Sequence, residues 1–163
     1  MPLYVPFPII LLSQATVGVA VTGTTSETVL ATITIPAGAM GLNGRIEVWS
    51  TWTNNSSGNS KSFAARFGAS GAGTGGTQIW GSANTTNLGG CSFQGVCNRN
   101  SLSIQIGVGS LGGNSGVGSA SPSAPPTMAV NTANASEVVL TGTLANAGDT
   151  ITLEAYRAWL MPA

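Results

Sequence analysis

The sequence predicts an all-β chain folded as an antiparallel β-sandwich, with a jelly roll as the expected topology and an extended N-terminal arm. Three observations carry this. Apolar residues recur at every second position from the first third of the chain to its end, no run of useful length keeps a helical period, and clusters of Gly, Ser, Asn and Pro punctuate the runs. Positions 1–16 read as the arm and 17–163 as one sandwich domain. In the arm, Pro2, Pro6 and Pro8 favour extended backbone. Leu3, Tyr4, Val5, Phe7, Ile9, Ile10 and Leu11 then need a surface to lie on, and a neighbouring subunit is the expected one. The arm does not read as a signal peptide, because it has no basic start and prolines break its apolar stretch. It is also too short to span a bilayer.

The strands follow in order. Val29, Ala31, Ile33 and Ile35 share one face against Thr28, Thr32 and Thr34, and Pro36-Ala37-Gly38 stops the run. Ile46, Val48 and Trp52 alternate with Arg45, Glu47 and Thr51. Phe63, Ala65 and Phe67 alternate with Ser62, Ala64 and Arg66. The turn-rich segment 54–59 between these two runs predicts a hairpin. Further strands are expected at 77–82, 90–98 and 102–108. Positions 109–126, rich in Gly, Ser and Pro, read as a long surface loop. Strands resume at 127–131, 136–144 and 149–160, the last with Ile151, Leu153, Ala155 and Trp159 on one face and a turn at 146–149 before it. About eight to ten short strands of this kind suit a jelly roll.

Composition narrows the function. The 163 residues contain no histidine, five acidic and five basic side chains, and a formal charge of zero. General acid–base chemistry, metal ligation and phosphate recognition draw on groups that are nearly missing. The chain reads as a non-enzyme with no cofactor and no metal. Without a basic patch it offers no footprint for nucleic acid or for an anionic membrane. Mean hydropathy is positive, the reverse of a disordered chain. So little surface charge favours assembly with other copies.

Single candidates for chemistry are weak. Glu47, Glu137 and Glu154 are the carboxylates that would have to converge for glycoside hydrolysis, and each falls on or beside a strand. Their expected role is ion pairing, Glu47 with Arg45 and with Arg66 on a neighbouring strand. Glu154 and Arg157 fall on opposite faces by parity unless a bulge intervenes. No serine sits in a G-x-S-x-G elbow, and the glycine runs 68–76 and 107–118 lack a Walker lysine. The lone aspartate, Asp149, lies in a turn. Cys91 and Cys97 lack metal-site spacing, leaving a hairpin disulfide or two free thiols open.

The aromatic residues are the better candidates. Trp49 is placed on the face opposite Ile46 and Val48, and Trp80 lies beside a glycine loop, so both are expected at the surface as interface anchors. The alternative is stacking on sugar rings, with Tyr156 as a third platform. Trp52 and Trp159 share faces with aliphatic residues and read as core.

Three blocks carry a resemblance. VTGTTSETVLATITIPAGAMG at 21–41, the stretch from Trp49 to Phe67 with the pattern F-x-x-R-F-G at 63–68, and LANAGDTITLEAY at 144–156 resemble segments of small virion structural proteins of tailed bacteriophages. The likeness touches most of the chain from about Val17 onward. It implies a β-sandwich, commonly homotrimeric, located in the virion after assembly in the host cytoplasm. The implied role is capsid decoration (cement), head fibre or tail fibre, with the major capsid protein or other virion proteins as partners. A receptor- or glycan-binding module of a fibre is the alternative it implies. The resemblance brings no catalytic residues.

Overall fold

The computed structural model describes residues 8–86, 88–108 and 125–163. The strands are β1 (Ile10–Ala15), β2 (Val19–Val21), β3 (Thr28–Ile35), β4 (Arg45–Asn54), β5 (Lys61–Ala69), β6 (Thr77–Asn84), β7 (Leu88–Asn98), β8 (Gln105–Val108), β9 (Thr127–Met128), β10 (Ser136–Leu144) and β11 (Ile151–Met161). They form two antiparallel sheets packed as a sandwich. A seven-stranded sheet runs β1-β11-β4-β7-β8-β9 with β2 also on β11, and a four-stranded sheet runs β3-β10-β5-β6. The pairing is nested: β5 with β6, β4 with β7, β3 with β10, and β2 with β11, successive pairs falling in alternate sheets.

That order corrects one expected turn. β4 and β5 are not a hairpin, since they belong to different sheets, and the segment between them carries the chain across the sandwich. Crossing lets the apolar faces of both strands meet: Trp52 and Phe63 come together with ring centroids 5.4 Å apart. The turn expected at 146–149 is present between the last two strands, and it too leads from one sheet to the other. The strand expected at 102–108 starts only at Gln105, because the chain turns back on itself through Asn100, whose φ is +50°. The strand expected at 127–131 is cut to Thr127–Met128. The long loop expected at 109–126 lies outside the described residues up to position 124.

One continuous core lies between the sheets, built on Ile33, Ile35, Ile46, Val48, Trp52, Phe63, Phe67, Ile79, Val138, Leu140, Ile151 and Leu160. Burying each such side chain contributes about 1.5–3 kcal/mol, which outweighs any single surface contact here. A polar row also faces inward from the seven-stranded sheet. Trp52 Nε1 donates to Ser50 Oγ at 2.8 Å, and Ser50 Oγ lies 2.7 Å from Ser92 Oγ. These bonds satisfy groups that would be costly to bury alone.

Register shifts change which way side chains point. An extra residue sits at Leu12 in β1, Leu30 in β3, Ile79 in β6 and Glu154 in β11. At such a bulge the alternation of faces slips by one. Leu30 turns in and Val29 out, so Val29 leaves the face expected to hold it with Ile33 and Ile35. Ile79 and Trp80 are both buried although they are adjacent. Beyond Glu154 the inward set becomes Tyr156, Ala158 and Leu160, which places Trp159 on the outer face rather than in the core.

Candidate functional site

Leu3, Tyr4, Val5 and Phe7 lie outside the described residues. Ile9, Ile10 and Leu11 are exposed, and Ile10–Ala15 pairs with β11 of its own chain, so this end of the expected arm is an edge strand of its own sheet. Apolar alternation is poor there, but the edge of β11 offers unpaired backbone groups that β1 satisfies. Ser13 Oγ and Tyr156 Oη, 3.0 Å apart, add a side-chain tie. Trp80 is not a surface anchor: it is 8% exposed and stacks on Trp52.

Trp49 is where the sequence puts it, on the outer face of the seven-stranded sheet and 36% exposed. Register defines its neighbours. Trp49 lies opposite Phe93 on β7 and Arg157 on β11, while Trp159 lies opposite Glu47 and Leu11. Gly95, paired with Glu47, is also paired with Val108. Leu11 and Val108 are each 49% exposed and Phe93 is 36% exposed. The outer face of this sheet therefore groups exposed apolar side chains on β1, β4, β7 and β8, interleaved with Gln14, Arg45, Glu47 and Arg157. Phe93 and Val108 are members that alternation alone does not single out, because their outward direction follows from pairing with β4 and β7.

The charges on this face are locally engaged. Arg45 Nη2 sits 2.8 Å from Glu47 Oε1, an exposed pair worth under about 1 kcal/mol. The Arg157 guanidinium lies 5.8 Å from the centre of the Trp159 ring, a cation–π contact of about 0.5–1 kcal/mol at an exposed site. The bulge at Glu154 does intervene, yet Glu154 accepts a hydrogen bond from Thr53 Oγ1 and forms no salt bridge with Arg157. Between β1 and β4 the surface dips into a shallow depression of about 380 Å³, lined by Gln14, Trp49, Tyr156, Arg157 and Trp159.

The outer face of the four-stranded sheet is built differently. Arg66 does not pair with Glu47, which is on the other sheet. It forks onto Glu27, with Nε to Oε1 at 2.7 Å and Nη2 to Oε2 at 2.9 Å, and Thr141 Oγ1 donates to the same Oε1 at 2.6 Å. Partial burial raises the Glu27 pKa, but the bonds from Arg66 and Thr141 and the Arg66 charge outweigh it, holding the carboxyl below its ordinary value. Glu137, also on this face, accepts from the backbone N–H of Gly71 at 3.0 Å and of Gly73 at 2.7 Å, fixing the 70–75 loop over the sheet.

The three candidate carboxylates do not converge. Glu137 is on the opposite exterior from Glu47 and Glu154. Glu47 and the Thr53 that holds Glu154 lie about 20 Å apart along β4, against roughly 5–10 Å for a glycosidase pair. Among the described residues no three His, Cys, Asp or Glu side chains gather as a metal site. Asp149 Oδ1 accepts from Asn55 Nδ2 at 3.0 Å. Its carboxyl is held low by hydrogen bonding from Ser57 first, against some desolvation, then by Asn55, Asn59 and the Lys61 charge. The Lys61 ammonium itself donates to Ser57 Oγ at 2.9 Å and to the Asn59 carbonyl at 2.8 Å. Cys91 and Cys97 are free thiols on the same face of one continuous strand, about 20 Å apart, far beyond disulfide reach. Among the described residues no helix is long and apolar enough to cross a membrane.

No protein-family model and no curated protein matches the chain. Among solved structures it is similar to a chain of the T13 IBDV viral particle, at 10% identity over 95% of this chain and 30% of that one, with a TM-score of 0.37. It is also similar to chains of the infectious bursal disease virus Gx strain structure, at 10% identity, 95% and 40% coverage and TM-score 0.23, and of the VP2 subviral particle of that virus, at 11% identity, 95% and 41% coverage and TM-score 0.24. The chain spans less than half the length of each of these solved chains.

Proposed function

We propose that this chain is a non-enzymatic structural component of a tailed-phage virion, a trimeric decoration or cement protein seated on the capsid. The observation that carries the reading is the apolar outer face of the seven-stranded sheet, with Leu11, Trp49, Phe93 and Val108 open to solvent on a chain with so few charges. Large apolar side chains grouped in the open on one face mark an interaction site. The three sequence blocks that resemble phage virion proteins supply the location and the partner, the major capsid protein. A jelly-roll reading of the fold is supported by the nested strand pairs, which are those of one long hairpin wrapped into a sandwich. The non-enzyme reading is supported by the absence of histidine and the separation of the carboxylates.

Purified protein added to capsids that lack it should co-sediment with them in multiples of three copies per site. Failure to bind any particle sinks the proposal. Glu47→Gln, Glu137→Gln and Glu154→Gln should each bind nearly as well as the parent. Polysaccharide hydrolysis lost in one of them would instead reveal an enzyme.

A second reading, glycan binding at a fibre, has its own observation: the depression lined by Trp49, Trp159, Arg157 and Gln14 offers aromatic faces beside polar groups. A glycan array separates the two, since specific sugar binding lost in Trp49→Ala belongs to the second alone.

A further inference from the structure

We propose that the depression between β1 and β4 is a binding site for an acidic saccharide, a pyranose ring carrying a carboxylate. The inference rests on the second reading above, glycan binding, and adds the class of ligand and the residue that selects it.

The depression is a product of where strands end. β1 stops at Ala15, opposite Tyr156, and the pairing of β2 reaches only Val19, opposite Leu153, so the edge of β11 at Glu154 and Ala155 has no strand beside it. Ala155, opposite Thr51 on β4, adds no more than a methyl group to the outer face there. Two residues on, Arg157 stands between Trp49 of β4 and Gln14 of β1, and Trp159 follows. The result is a hollow of about 380 Å³ lined by Gln14, Thr16, Trp49, Ala155, Arg157 and Trp159. That volume lies in the range of small-molecule sites, which are aromatic or apolar with a few placed polar groups. Phe93 and Val108, across β4 on β7 and β8, take no part in it.

The polar atoms of the hollow are mostly donors. An indole offers only its N–H and a guanidinium only its five N–H groups, so Trp49, Trp159 and Arg157 bring no polar acceptor. Among the described residues no side-chain hydrogen bond engages Gln14, Trp49, Arg157 or Trp159, whereas the groups around them are taken: Ser13 by Tyr156, Glu47 by Arg45, and Glu154 by Thr53. Arg157 belongs to neither salt bridge of the described residues, and its guanidinium is 5.8 Å from the centre of the Trp159 ring. An aromatic face positions a guanidinium without using its N–H fork, and that fork matches a carboxylate through two parallel charge-assisted bonds. The indoles supply the flat apolar surface on which the ring carbons of a pyranose lie. A neutral sugar meets the same indoles and forgoes the charge-assisted pair, which sets the preference for an acid.

The test is binding of the purified protein to an array that presents uronic-acid and sialic-acid oligosaccharides beside their neutral methyl esters. It is run on the parent, Trp49→Ala, Arg157→Gln and Arg157→Lys, each checked for an unchanged β-type circular dichroism spectrum. Arg157 is exposed, so its replacement leaves the core as it is. The parent should bind the acids at least tenfold better than the esters. Arg157→Gln should bring that ratio close to one, Arg157→Lys should restore only part of it because a point charge lacks the fork, and Trp49→Ala should weaken acid and ester alike. A parent that binds acids and esters equally, or a preference that survives Arg157→Gln, overturns the acidic class and leaves the glycan reading standing. A parent that binds no saccharide overturns both. Loss of capsid co-sedimentation in Arg157→Gln, with no saccharide bound by the parent, would give the hollow to an acidic side chain of the capsid protein instead.

Discussion

Trp52 and Trp80, from opposite sheets, stack with ring centroids 6.5 Å apart and planes inclined by 29°. Trp80 reaches this position because Ile79 is the extra residue of a bulge, which turns both side chains inward. Trp80→Ala should therefore cost about 3–5 kcal/mol of stability, as for other buried aromatic truncations. Trp49→Ala, on the outer face, should cost under about 1 kcal/mol. Urea unfolding of the two variants checks the contrast, and equal losses would contradict the opposite placements.

Glu27 makes stability depend on pH. Its folded pKa lies below its unfolded value, so the contribution is fully present above the ordinary carboxylate range and disappears as pH falls through the folded value. Glu27→Gln should cost about 1.5–3 kcal/mol at neutral pH, the range for hydrogen bonds to charged groups. The difference from the parent should shrink as the pH drops below that range. Denaturation midpoints measured from pH 7 down to pH 3 decide it, and a gap that widens on acidification would reverse the assigned sign.

The same bulges mark the limit of what the sequence discloses. Alternation locates β3, β4, β5, β10 and β11 because their apolar residues recur with the period of the pleat. It assigns Trp49 correctly, since β4 runs without a register shift against β7. It misplaces Val29, Trp80 and Trp159, each beyond or beside an inserted residue that only the partner strand defines. β1 is hidden for another reason: Ile10, Leu11 and Leu12 form an unbroken apolar run with no alternation, and pairing with β11 gives them their structure. Partner identity is also non-local, so the turn at 54–59 reads the same whether it closes a hairpin or crosses the sandwich.

The cysteines give a direct check on β7. Because Cys91 and Cys97 sit on one unbroken strand, both should remain thiols in air-oxidised protein, within the chain. Burial pushes the Cys97 thiol up, with Arg45 opposing and Glu47 adding to the shift, so it should react more slowly than Cys91 in unassembled protein. Intact mass after alkylation in denaturant should show two additions per chain. A bridge between the two within one chain would mean that β7 is broken.

Truncation separates the two parts of the N-terminal segment. Removing residues 1–9 leaves every pair of β1 with β11 in place, so the unfolding midpoint should stay within the error of the parent while capsid binding falls if those residues dock on a neighbour. Removing residues 1–16 strips β1 from β11, opens the Tyr156 hydroxyl's bond to Ser13 and exposes a sheet edge. That variant should lose stability and aggregate. Thermal unfolding of both, read beside co-sedimentation with capsids, distinguishes docking from folding: a loss of stability already complete in the shorter deletion would place residues 1–9 in the folding unit rather than on a neighbouring subunit.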